Sequence, residues 1–200
     1  MEWGLLRAVS GVDVGLTPGA HRLENGLMRI ELEVSPDLPS QVMPYRVYDP
    51  NDDDVRAILM EACHELDGWA DFLISGSGQE RWPVDVGTDL SVFLEQLPDA
   101  LRAIAARKSA EIYLYEQGVD RLLKLEPKGA GYAVHCRSGT DWRPWPAVEE
   151  VDSLKLEGML VAVRDEFLKA LERMAPALRL HPWIVEWVES CDEDSGTSSA

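Results

Sequence analysis

Cysteine is scarce in this chain. Its three copies, Cys63, Cys136 and Cys191, are odd in number and far apart, so no disulfide framework is expected and a reducing cytoplasm is the natural compartment. Basic charge is scarce as well. Nineteen Lys and Arg stand against 36 Asp and Glu, a formal net charge of −17, and a nucleic-acid backbone or an anionic membrane surface would repel such a chain. Long apolar runs are missing: a stretch such as 159–163 is far short of the roughly 20 residues that span a bilayer. The opening MEWGLLRAVSGVDVG begins with an acid and has neither the basic nor the apolar region of a secretory leader, so no export is expected.

Reaction signatures are also lacking. Cys63 with His64 and His135 with Cys136 make a formal Cys2His2 set. Neighbouring residues diverge on a helix or strand, and the usual ligand spacings are absent, so buried thiols and ordinary histidines are expected rather than zinc. A Cys136 nucleophile would need an exposed, electropositive cleft, whereas Cys136 sits on an apolar side next to Val134. SGSGQ, residues 75–79, superficially resembles a phosphate cradle. It lacks a following GK[ST] and runs into Glu80, so a flexible turn is expected. Paired acids such as Glu149 and Glu150 have no context that marks them as catalytic. No cofactor and no metal are implied.

What is present is the material of a full core. Hydrophobic residues make up 46% of the 200, enough for one large soluble domain. The organising stretch is 109–137, three alternating segments joined by glycine-containing turns, which predicts an antiparallel meander. Alternation places Ile112, Leu114, Val119, Leu123, Leu125, Tyr132, Val134 and Cys136 on a core face. The opposite face receives Glu111, Tyr113, Tyr115, Leu122, Lys124, His135 and Arg137.

Around this meander the chain predicts further elements. Residues 1–26 read as a strand or loose arm, 27–34 as a half-buried strand, and 45–49 as a short strand ending at Pro50. Helical spacing over 52–67, introduced by Asp52, Asp53 and Asp54, predicts a helix with acids at its positive end. Residues 69–75 and 81–86 flank the SGSGQE turn as a hairpin, with Pro83 on its edge arm. A second amphipathic helix spans 89–107 and is either kinked or restarted at Pro98. Residues 139–150 read as a loop with two tryptophans. The strongest helix follows at 153–175 and should pack on the meander, and a short one at 178–189 places Trp183 and Trp187 on one face.

The expected architecture is one α+β domain over 1–189. It has an antiparallel sheet of about five or six strands with three to four helices packed mainly on one face, then an acidic, polar, disordered tail at 190–200. The expected function is a non-enzymatic, cytoplasmic protein-binding module, in its specific form an immunity-type inhibitor of a basic toxin, because strong acidity suits electrostatically steered capture. An enzyme of hydrolase type or a structural subunit of an assembly are the alternatives. The acids Asp52, Asp53 and Asp54 would steer the partner. Tyr113, Tyr115, His135, Arg137, Trp142, Arg143 and Trp145 would anchor it, since Trp, Tyr and Arg dominate interface energetics. Trp142 and Trp145 have a competing expectation, that they fold back as a lid over the core.

Overall fold

The computed structural model describes residues 28–43, 46–116 and 118–192. The expected arm at 1–26 and the tail beyond Asp192 lie outside them. The fold is α+β, with six strands and five helices among the described residues. β1 (Arg29–Val34) and β2 (Ala70–Ser75) form an antiparallel pair, separated in the chain by α1 (Val55–Leu66). After α2 (Asp89–Ala105) come β3 (Ala110–Leu114), β4 (Arg121–Lys128), β5 (Gly131–Ser138) and β6 (Val148–Asp152), an antiparallel sheet in chain order. α3 (Ser153–Met174), α4 (Pro176–Arg179) and α5 (Pro182–Asp192) complete the order.

Several expectations change. The strands make two sheets rather than one, because β2 pairs with β1 and not with 81–86, which forms no strand. Pro83 there has no N–H to give a ladder. Residues 46–49 form no strand either. Conversely, the expected loop at 139–150 contains most of β6, whose inward carboxylate hid its alternation. α5 runs to Asp192, past the expected end at 189.

The meander is as expected. Leu123 stands between Ile112 and Cys136 in one row, and Leu125 between Ala110 and Val134 in the next; all eight core-face side chains are buried. The helices follow from caps and stripes. The Asp54 carboxylate accepts from Arg56 N at the start of α1, and Asp152 accepts from Leu154 N and Lys155 N at the start of α3. Leu160, Val163, Phe167 and Leu171 of α3 are fully buried. The helix was expected on the meander, but it packs chiefly on β1 and α2, and touches the meander through β5 with β6 beside it.

α2 runs unbroken through Pro98. A proline cannot donate to the carbonyl four residues back, and here that acceptor, Leu94 O, receives Trp187 Nε1 from α5 at 3.1 Å. The same helix covers a sheet edge. Gln96 accepts from Tyr113 N at 2.8 Å and donates to Tyr113 O at 3.0 Å, so its amide satisfies β3 where a neighbouring strand would.

Candidate functional site

Strand alternation along β4 puts Arg121 on the same side as Leu123 and Leu125, facing the core. Its side chain is 2% exposed. The guanidinium carbon lies 4.5 Å from the Trp82 ring centroid and 3.8 Å from that of Trp142, and the two indoles meet edge-on at 6.0 Å. Among the described residues Nε and Nη1 have no hydrogen-bond partner. Burial pulls the guanidinium's pKa below its usual value, and only Cys136 pushes back. Each indole returns on the order of 2 kcal/mol to a desolvated cation, less than burying an unpaired charge costs.

The SGSGQ turn forms one wall. Trp82 donates Nε1 to Gly76 O at 3.1 Å, and its backbone N to Ile74 O. Ser75 and Ser77 are buried, and Ser77 hydrogen-bonds the Cys136 thiol, whose pKa burial nonetheless raises. The turn is packed rather than flexible. Gly78 has φ +83°, and a side chain there would run into the Trp145 carbonyl. The amides of Gly76, Gln79 and Ser77 are also spent, on Gln79 O, Gly76 O and the Glu149 carboxylate. They cannot cradle a phosphate. Glu149, inward on the edge strand β6, accepts from Met28 N at 3.0 Å as well, and so ties the larger sheet to the smaller.

The anticipated anchors divide. Trp142 is the half-buried lid on Arg121. Trp145 is 83% exposed, on a backbone fixed by its own N–H to Ser77 O at 2.9 Å. Exposed Arg143 hydrogen-bonds the carbonyls of Thr140 and Trp142. Tyr113 and Tyr115 are exposed and stack edge-on at 5.9 Å, with the Tyr113 hydroxyl donating to Asp120. Asp120 O in turn receives Gly139 N, which links the tyrosines to the Trp142 loop. On the open face, half-buried His135 approaches Glu126 at 3.1 Å, and Arg137 is exposed two residues on.

The acids Asp52, Asp53 and Asp54 sit at the start of α1. Asp53 pairs with Arg46 and accepts from Asp49 N, and Asp54 pairs with Arg56 while capping the helix. Arg56 lies within electrostatic reach of Tyr115. Sequence reasoning missed Arg121 and Glu149. For Arg121 the signal existed, since it stands two residues from both Val119 and Leu123.

Other features are less built. A groove of about 440 Å³ beside α1 is lined by Met43, Met60, His64 and the mutually paired Arg46 and Glu61. Among the described residues no three His, Cys, Asp or Glu side chains gather as metal ligands, and no helix is long and apolar enough to cross a membrane. No family model, curated protein or solved structure matches the chain.

Proposed function

We propose that this chain is a non-enzymatic, cytoplasmic protein-binding module whose partner is a basic protein, held as an immunity protein holds its toxin. The observation that carries this reading is Trp145, a large indole standing in water on a backbone fixed at Ser77 and Gly78. Such a side chain loses little freedom on binding and offers a large apolar surface, the combination that makes hot spots. Tyr113 on β3, Tyr115 just past it and Val148 on β6 are exposed as well. The net charge of −17 supplies the sign of the partner, because opposite charge speeds encounter. Three free, buried thiols suit a reducing compartment.

A photo-crosslinking residue placed at 145 in the native host, with a control at exposed Leu154 on α3, tests it. The reading expects one basic protein captured from 145 and not from 154, whose binding to purified chain is lost in Trp145→Ala. Capture of nothing specific from 145, or equal binding by Trp145→Ala, removes it.

A further inference from the structure

The charge of Arg121 has no answer among the described residues. No carboxylate among the described residues acts on it, although acids outnumber bases by 36 to 19. The side chain is covered by a single loop. Trp142 closes over it from 139–147, and no backbone hydrogen bond ties 140–144 to the rest of the described fold. Gly139 N on Asp120 O and Trp145 N on Ser77 O anchor the loop on either side.

The loop carries more than its indole. Ser138 is the ladder partner of Arg121, and its hydroxyl lies 2.9 Å from that of Thr140. Arg143, next to the lid, is exposed and bonds only to carbonyls of its own loop. Both hydroxyls also accept backbone N–H groups, Thr140 N on Ser138 and Trp142 N on Thr140, so two hydroxyls and a second arginine share the segment whose indole covers Arg121.

We propose that Arg121 is the floor of a binding site for a small oxyanion, phosphate or carboxylate, and that Trp142 is its removable roof. With the indole swung out, the unbonded N–H groups of Arg121 meet the anion as charge-assisted donors, while Ser138, Thr140 and Arg143 stand at the mouth. With the indole in place, its ring covers the guanidinium face, screens the cation from water and closes the approach to those in-plane N–H groups. The anion meets the edge of the guanidinium and reaches it only with the roof off, so apparent affinity is set by how often the roof is off. The amides of Gly76, Ser77 and Gln79, already bonded, take no part.

Titration calorimetry of the full chain with sodium phosphate and, separately, sodium acetate, at ionic strength held with sodium chloride, is the test, with tryptophan emission followed in parallel. Saturable binding of either anion, with a red shift as Trp142 enters water, is expected, and the anion that binds names the ligand's chemistry. Arg121→Met should weaken binding by about tenfold or more, and Trp142→Ala should strengthen it by about tenfold because no roof is displaced. A purely structural stack predicts the reverse for Trp142→Ala, lost stability and no response to either anion. Should Arg121→Met fail to fold, Arg143→Ala leaves the floor intact and is expected to weaken binding several-fold. Absence of saturable binding in both wild type and Trp142→Ala, or undiminished binding in folded Arg121→Met or in Arg143→Ala, overturns the proposal.

Discussion

Trp187 gives its indole N–H to Leu94 O, the acceptor that Pro98 leaves vacant inside α2. The pair explains how a proline sits mid-helix without a break, and it makes α5 part of α2's own bonding. Trp187→Phe should cost about 1–3 kcal/mol, the penalty for a buried acceptor left alone, plus a packing loss beside Phe167. In a Pro98→Ala background, where the backbone regains an N–H that can serve Leu94 O, the loss should shrink. A double-mutant cycle by urea unfolding reads this coupling, and additive effects would contradict it.

Phe167 is fully buried on α3. Truncation to Ala should cost roughly 3–5 kcal/mol through lost transfer energy and the cavity left behind. An unchanged unfolding midpoint would refute the placement of α3.

Asp89, first residue of α2, is 1% exposed, with one carboxylate oxygen bonded to Asp85 N and the other unpartnered. Burial raises its pKa to about 6; the Asp85 N–H pulls down, and the charges of Asp85 and Glu116 push up. The folded pKa lies above the unfolded one, so the protonated carboxyl contributes stability that is full below about pH 4 and is lost as pH rises through about 6. Denaturant unfolding between pH 4 and 8 should show this loss, up to about 3 kcal/mol, and Asp89→Asn should flatten it. An identical slope in Asp89→Asn would show that another group titrates.

Glu149 joins the two sheets through Met28 N and Ser77 N. Its replacement by Ala should cost about 2 kcal/mol or more, since each bond to a charged acceptor contributes about 1.5–3 kcal/mol. Gln, which keeps one acceptor, should cost less. Equal effects of the two variants would show that the charge and not the acceptor matters.

Of the acids expected to steer a partner, Asp52 is exposed and outside the ion pairs that hold Asp53 and Asp54. Asp52→Lys should leave stability within about 0.5 kcal/mol while slowing association with the crosslinked partner and lowering its salt dependence. Asp54→Ala should instead cost about 1 kcal/mol through the lost cap. Unchanged association kinetics in Asp52→Lys would leave the acidity as a matter of solubility.

The legible parts of the fold were the local ones. Leu156, Leu160, Val163 and Phe167 declare their helix by spacing, and the meander strands declare theirs by alternation, because each pattern is complete within one element. The pairing of β1 with β2 was hidden, since 35 residues and α1 intervene between Val34 and Ala70 and no local pattern encodes which arm a strand chooses. β6 was hidden because Glu149 points inward, where alternation calls for an apolar residue. SGSGQ read as loose because its restraints, Glu149 and Trp145, come from some 70 residues away. Trp142 and Trp145 are three apart in one proline-stiffened loop, yet one is roof and the other stands in water; only the position of Arg121 separates them.

The amide of Gln96 on Tyr113 has a consequence for growth. A sheet of open edges can lengthen strand by strand into a fibre, with each added chain templating the next. Gln96 closes Tyr113 on the β3 side with one side chain, and on the β6 side half-buried Glu149 sets an inward-pointing charge in the border strand. Polymerisation through this sheet is thus opposed at both borders, by an imitation of backbone at one and by a charge at the other.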